Sequence, residues 1–427
     1  MRHRQGTLGN REAAQIAEAI LAREIAAAEG ARGQELVQQV RPCAREIDSA
    51  LAERMKRRDR VGAQAALLRF DEGLLSPGAA STYEHDPDPA FRALAPRALV
   101  DDDDAPARRA AFLLPEPGAR RMAVLAARDG GIFADLEPLF EVARLDPEPS
   151  VQALAVRAVV EVVRREKSDV LRGQADEKRS ALSLARAEKL GAARLAVDRL
   201  RDAWTSAPEG LREDIASAWI VTPLYEIGGR EALRVRLAEG GEPRLALASA
   251  VLRRSSSRGA CGEGPEPEDT FLRANADRVV LAALSEGTLA ERQRAVGLVE
   301  PTAEGLEALR RAGKDEDPDL RVSALGRLAE LPAERDAAIA ALVRMAGQRP
   351  DRARGAPARA ALASAKYLPV QAWIEEDLLA LQPDVRVNAV RSLASLGRAA
   401  RGAPLLADPD ADVRVRAACA LLRGTRG

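Results

Sequence analysis

The sequence predicts an all-α protein, a solenoid of stacked antiparallel helix pairs in roughly ten or eleven repeats. Three observations carry this. A pattern of the form DPxxVRxxA recurs at intervals near 30 residues, enough for two short helices and two turns. β-branched residues do not alternate over long runs, and no Asn-Gly or Asp-Gly links two such runs. Hydrophobic residues make up 46% of the 427, but aromatics only 3%, so the interior must be Ala, Leu and Val. Small side chains suit many closely stacked helices better than one large core.

Residues 10–70 read as helical but do not match the repeat. Asn10 is placed to cap the first helix. Ile16, Ile20 and Glu24 share one face, and Ile47, Leu51 and Met55 another. Pro42 should break the second helix near Arg41. Residues 1–73 are expected to form an N-terminal cap over the apolar side of the first repeat, the sharper alternative being a partner-binding arm.

Residues 74–252 form the first expected block of repeats. The first apolar residue of each repeat helix serves as its anchor. Phe91 and Val151 are clear, Ala119, Leu211 and Arg244 are degenerate, and Ala181 is faint. The steps from Phe91 to Arg244 are 28, 32, 30, 30 and 33 residues, and the next, to Glu291, is 47. The long step is attributed to a flexible insertion at 253–271, "RRSSSRGACGEGPEPEDTF", where Ser, Gly, Pro and Glu crowd together with little to bury. Long loops are often functional, but a tolerated insertion accounts for this one. Residues 272–427 form the second block, anchored at Glu291, Leu320, Ala356, Val385 and Val413 with steps of 29, 36, 29 and 28.

Each clear copy carries its own start signal. In "DPDADVRVRAACALLRG" (408–424), Asp408 is read as the N-cap, Pro409 as the first helical residue, and Asp410 and Asp412 as acids at the positive end of the helix dipole. Asp317-Pro318-Asp319, Asp146-Pro147-Glu148 and Asp86-Pro87-Asp88 follow the same logic. Behind the cap, Val385, Ala389 and Leu393 lie at i, i+4 and i+8, as do Val413, Ala417 and Leu421. Alanine in the middle lets neighbouring helices approach closely.

The pattern DPDxxVRxxAxxALxxLG resembles HEAT repeats, in particular the short HEAT-like type also found in phycobilisome lyases. The resemblance covers about residues 86–427 and is clearest at 315–331, 382–397 and 408–424. It implies a curved solenoid with its concave face lined by second helices. In such families an Asp and an Arg form a ladder between adjacent repeats. Carried over, this implies Asp384–Arg386 and Asp412–Arg414 interactions between layers, with Arg321 in the equivalent place. The functional alternative is a stripe of arginines that binds an acidic protein or phosphates. Gln152 interrupts the stripe and nearby acids neutralise it, which favours the ladder.

Other candidates for chemistry are weak. Acids and bases balance at 65 each, so no global basic excess points to nucleic acid. Cys43, Cys261 and Cys419, with His3 and His85, lie far apart and form no metal-ligand spacing. The sparse, odd cysteine count argues against a disulfide framework and points to a reducing compartment. No histidine or helix end near Cys261 would activate it as a nucleophile. "DDDD" (101–104) lacks the spaced ligands and glycine of a calcium loop and reads as a helix start. "GGREALRVRLAEGG" (228–241) lacks a phosphate-loop pattern, and its glycines read as helix ends. Trp204, Trp219, Trp373 and Tyr225 read as core or interface filling; Trp373 near Asp377 is a local pairing common to many helices. No apolar run is long enough to span a membrane, and the basic N-terminus lacks an export core, so a cytoplasmic chain is expected.

The expected function is therefore a non-catalytic scaffold that binds another protein along its concave face or at an end, with no cofactor and no metal. The resemblance alone suggests an alternative, an accessory subunit of a bilin lyase or isomerase. A DNA-binding or glycosylase role is disfavoured by the lack of a basic groove. Cys419 is expected to be a small filler, and the last helix, with no cap after it, leaves one side open for a partner or a second copy.

Overall fold

The computed structural model describes residues 9–239, 244–258, 267–347 and 352–426. The described residues are helices and turns, with no strand among them. Two compact units divide the chain, residues 76–283 and a discontinuous unit of residues 1–75 with 284–427.

The discontinuous unit opens with α1 (Asn10–Ala27), α2 (Gly30–Gln39), α3 (Asp48–Met55) and α4 (Arg60–Asp71). A short 3-10 turn, Arg41–Cys43, follows α2 where Pro42 was expected to end it. The other unit holds α5 (Pro89–Arg92), α6 (Ala105–Ala111), α7 (Pro117–Gly130), α8 (Leu136–Leu145), α9 (Pro149–Arg165), α10 (Lys167–Lys178), α11 (Leu184–Ser206), α12 (Glu209–Trp219), α13 (Arg230–Glu239) and α14 (Arg244–Arg258). α15 (Pro267–Glu286) runs across the boundary. The discontinuous unit resumes with α16 (Leu289–Val296), α17 (Ala303–Ala312), α18 (Pro318–Ala329), α19 (Arg335–Ala346), α20 (Arg352–Ser364), α21 (Gln371–Asp377), α22 (Pro383–Ser395) and α23 (Ala411–Arg426).

Each unit is a stack of antiparallel helix pairs of the HEAT-like kind. α17 packs on α18, α19 on α20 and α21 on α22, while α16, α18, α20, α22 and α23 form a continuous row of neighbours. In the other unit α6, α8, α11 and α13 pair with α7, α9, α12 and α14, and those four again form a row. The anchor residues fall in these repeat helices, with two exceptions. Phe91 lies in α5, a four-residue helix outside the named pairs. Ala181 lies in the link between α10 and α11, a hairpin whose second arm is 23 residues long. No repeat helix starts there, so the faint copy is withdrawn.

The repeat's start signal lies two residues later than expected in three copies. Asp86, Asp146 and Asp408 each accept the backbone N–H two residues on, at Asp88, Glu148 and Asp410, in a tight turn. The helix then begins after the second acid, so Asp88 and Glu148 are the caps and Pro89 and Pro149 the first helical residues. Asp317 caps α18 as expected, accepting the N–H of Leu320 at 2.8 Å. Two Asp-Pro-like pairs in tandem fit either register by sequence; the second wins because the first acid is needed elsewhere. α1 starts at Asn10 itself, after Gly9, with no side-chain cap.

The expected insertion is shorter than 253–271, because α14 extends to Arg258 and α15 begins at Pro267. Residues 259–266, with Cys261, lie outside the described residues, as do Gly240 and Gly241. The expected blocks 74–252 and 272–427 are thus joined through α14 and α15.

The larger difference is at the N-terminus. α1 packs against α23 and the 3-10 segment Ala399–Ala407, and so takes the next place in the row after α22 and α23. The apolar face Ala13, Ala17, Leu21 and Ile25 is fully buried. Residues 10–55 therefore cover the last repeat, not the first. The apolar residues of α23 are covered: Val413, Val415, Ala417, Ala418, Leu421 and Leu422 are all buried. A helix buried on two sides needs apolar residues on both, which is why α23 exceeds a single i, i+4 stripe.

Ala389 on α22 is buried between α20 and α23, and Leu393 below it is fully buried. Ala389→Asp is expected to cost about 3–5 kcal/mol by placing an unpaired charge in this contact. A thermal melt unchanged by the substitution would contradict this facing of α22.

Candidate functional site

The arginines singled out in the sequence sit in a repeated arrangement that joins layers. Arg386 donates from Nε and Nη2 to both carboxylate oxygens of Asp408 in the next repeat, at 2.8 and 3.1 Å. Its Nη1 donates to the carbonyls of Ala380 and Leu381, which closes the turn before its own helix. Arg120 repeats this with Asp146, at 2.7 and 3.0 Å, and with the carbonyls of Leu114 and Pro115. The hydrogen bonds it donates to Asp146 hold the Arg120 guanidinium above its ordinary pKa. Arg292 pairs with Asp315 through Nη2, while its Nε donates to the Leu284 carbonyl. Each Asp thus serves two masters, the N–H in its own turn and the guanidinium of the preceding layer. A bidentate Arg–carboxylate pair fixes geometry as well as attraction.

At Arg414 the place of the next layer is taken by α1. The Arg414 Nε and Nη2 donate to Glu24 of α1, at 3.2 and 3.0 Å, and its Nη1 to the carbonyls of Asp408 and Pro409. Glu24 stands where the next repeat would place its Asp. The structure does not form the Asp384–Arg386 or Asp412–Arg414 pairs. Asp384 accepts from Arg416 at 2.7 Å, and Asp412 lies 3.8 Å from Arg32, both near solvent. The reason is reach: an Arg two residues after an Asp on one helix points away from it, while the layer above offers a carboxylate. Arg321 is half-buried on α18 and lies near Asp315, whose carboxyl is held low first by the N–H of Asp317. Arg386 and Arg414 are thus committed within the fold.

Cys43 and Cys419 form a disulfide, with Cα atoms 5.5 Å apart and 376 residues between them in sequence. Both are buried. This corrects the expectation that the cysteines are unpaired and that Cys419 is a filler. It also removes the ground for expecting a reducing compartment, since such bonds persist in oxidising ones. Nothing in the local sequence around either cysteine signals the other.

Asp377, placed near Trp373 in the sequence reading, accepts from Arg359 Nε and Nη2 at 2.6 and 2.8 Å and is buried. It is therefore engaged in the fold. Trp204 and Trp219 are buried against each other with ring centroids 5.4 Å apart. Asp102–Asp104 form a 3-10 turn leading into α6. No group of three or more potential metal ligands occurs among the described residues.

Tyr225 begins one turn of wide helix, Tyr225–Gly229, in which Gly228 has φ of 155°. These glycines bend the chain rather than end a helix. The Tyr225 ring lies under the Arg254 guanidinium at 3.6 Å and beside that of Arg230 at 5.1 Å. Its hydroxyl donates to Asp269. Burial, then the nearby carboxylate, push its pKa up to about 12. The fold favours the protonated phenol, so this contribution is present below the ordinary value of about 10 and is lost as pH rises through about 12. Of the three tyrosines, one is expected to ionise near pH 12 in a tyrosinate absorbance titration, and Tyr225→Phe to remove that step.

Exposed leucines mark a surface that the sequence reading missed. Leu113, Leu145 and Leu379 each lie three residues before the N-cap of a repeat helix, at Glu116, Glu148 and Gln382. They are 85%, 62% and 82% exposed. Leu113 and Leu145 border a cavity of about 770 Å³, with Phe112, Leu114, Pro115 and Pro138 also in its wall. The signal was present as "FLLPEP" and "ARLDPEP", but reads as ordinary turn sequence until the register is known.

The fold and these surfaces define a class, a repeat protein of stacked HEAT-like helix pairs. No protein-family model matches the chain, and no curated protein matches it. Among solved structures it is similar to karyopherin Kap121p bound to the extreme C-terminus of the protein phosphatase Cdc14p, at 13% identity and a TM-score of 0.28, over 93% of this chain and 47% of that one. Kap121p bound to Pho4p gives 14% identity and a TM-score of 0.28, with the same coverage. The chain spans about half the length of these structures. No helix among the described residues is long and apolar enough to cross a membrane.

Proposed function

We propose that this protein is a non-catalytic scaffold that binds another protein. The observation that supports this is the pair of exposed leucines, Leu113 and Leu145, at one register position beside a cleft. Leucine is not needed there for turn formation, and exposed apolar side chains grouped around a cleft favour a partner. In residues 76–283 the cleft beside Leu113 and Leu145 is mostly apolar, with the turn prolines holding its walls. Pro and Leu at fixed turns lose little freedom on binding, so little ordering cost opposes association. An extended apolar segment of another protein suits such a cleft. The ladder residues Arg321, Arg386, Arg414, Asp384 and Asp412 we assign to holding layers together rather than to binding that partner.

The test is affinity capture followed by mass spectrometry, with wild type and the Leu113→Asp/Leu145→Asp variant side by side. Wild type is expected to retain a reproducible partner, and the variant to lose it with unchanged helical circular dichroism. Equal retention by the variant would move the binding surface elsewhere. Turnover of a substrate by the purified protein, with no partner retained, would overturn the scaffold reading.

A further inference from the structure

We propose that the discontinuous unit carries a binding site for a compact polyanion bearing clustered phosphate groups, in a cleft of about 720 Å³ beside the Cys43–Cys419 bond. Lys366, Arg391, Arg416 and Arg423 all line it, and no carboxylate does among the described residues. The helices dictate this convergence. Arg416 and Arg423 are seven residues apart on α23, so they share a face, and Arg391 on α22 meets them across the floor. That floor is made of small residues: a Cβ added to Gly424 would come within 2.5 Å of the Ala394 Cβ, so the helices touch and the long cations stand around the rim.

The cations are lightly engaged by acids. Arg416 pairs with Asp384, whose side chain is 76% exposed, a surface contact of little strength. Arg391 donates to the neutral side chain of Asn388 at 3.2 Å. Lys366 donates to the Ser395 carbonyl. In the ladder, by contrast, guanidiniums are met by buried carboxylates, as Arg386 is by Asp408 and Arg120 by Asp146. One sign of charge inside a walled cleft focuses its field. Guanidiniums match phosphate oxygens two at a time, and the cavity has the volume of small-molecule sites.

Lys366 gives an independent reason. It has φ of 59°, the left-handed region that favours glycine. Its repeat counterpart is Gly397, with φ of 71°. The equivalence is exact in hydrogen bonding: in "LASAKY" the N–H groups of Lys366 and Tyr367 bond to Ala363 and Leu362, and in "LASLGR" those of Gly397 and Arg398 bond to Ala394 and Leu393. One copy uses the residue that the turn prefers. The other holds a lysine there, against backbone preference, and that lysine is at the cleft. Strain retained at one copy of a repeat points to a task at that copy.

Isothermal titration with sodium tripolyphosphate tests the site, with citrate as a carboxylate polyanion and Arg310→Ala, whose guanidinium is paired with Glu334 and does not line the cleft, as a control. Wild type and the control are expected to bind one tripolyphosphate per chain. Arg391→Ala/Arg423→Ala should weaken binding at least tenfold with an unchanged melting temperature. Lys366→Gly should weaken it severalfold while raising the melting temperature, a combination that lost folding cannot produce. No heat of binding with wild type, or equal affinity in the Arg391→Ala/Arg423→Ala variant, would overturn the proposal. Citrate bound as tightly as tripolyphosphate would overturn the assignment to phosphate. None of these outcomes bears on the leucine cleft, so the two readings fail separately.

Discussion

Removing the Cys43–Cys419 bond is expected to lower stability by about 2–5 kcal/mol, because the link closes the longest loop the chain offers. Cys43→Ser/Cys419→Ser and wild type under reducing agent should agree. The loss has a location. Residues 10–55 are held on α23 by the apolar face of α1, the Arg414–Glu24 pair and this bond, and the latter two are the specific ones. Hydrogen exchange should therefore rise first in α1 to α3, ahead of α16 to α22. Alkylation of the denatured, unreduced protein should find one free thiol of three, Cys261. Acid should loosen the same contact. Burial raises the Glu24 pKa, but hydrogen bonds from Arg414 and Arg23 outweigh it and hold the carboxyl low. A carboxylate with a lowered pKa contributes stability at neutral pH that is lost as pH falls through its folded value. Three free thiols, and a melt indifferent to reductant, would remove the bond from the account.

The contrast between what the residues revealed and what they hid follows from the range of each interaction. Periodicity is a property of neighbours in sequence, so the repeat helices, Ala389 in the stack and the buried face of α23 were legible. Caps are nearly as local, yet Asp146 and Asp408 were placed two residues early. Their carboxylates are taken by a tight turn and by an arginine one layer away, which the local sequence does not show. The ladder partners were misplaced for the same reason. Arg386 and Asp384 are near in sequence, but Asp408 is near in space. The position of α1 was least legible. Ile16, Ile20 and Glu24 share a face, but the helix buries Ala13, Ala17, Leu21 and Ile25 and leaves Ile16 exposed, and a pattern on one helix does not say which end of a stack it covers. Glu24 belongs to the ladder because α1, distant in sequence, packs on α23 and brings it to Arg414. Nor could spacing pair two cysteines 376 residues apart.

Arg108→Met is expected to destabilise residues 76–283 by about 3–5 kcal/mol, as breaking a fully buried ion pair from one side does. Arg108 and Asp135 are both 0% exposed, with Nη2 to Oδ2 at 2.6 Å and Nε to Oδ2 at 3.1 Å. Arg108 Nη1 also donates to the carbonyls of Leu99 and Asp101, and Asp135 Oδ2 accepts the N–H of Ile132. The pair thus joins the turn before α6 to the turn before α8. Methionine fills the space but leaves a buried carboxylate without its cation and two carbonyls without a donor. Asp135→Leu leaves the opposite charge behind and should cost a similar amount. The double variant Arg108→Met/Asp135→Leu is expected to recover most of the loss, because no charge is then stranded; the two carbonyls and the Ile132 N–H lose their partners and account for the remainder. Denaturant melts of the four proteins in a double-mutant cycle separate these contributions. A double variant as unstable as the sum of the singles would mean that each side chain acts through its own contacts, and that the pair is not what holds the two turns together.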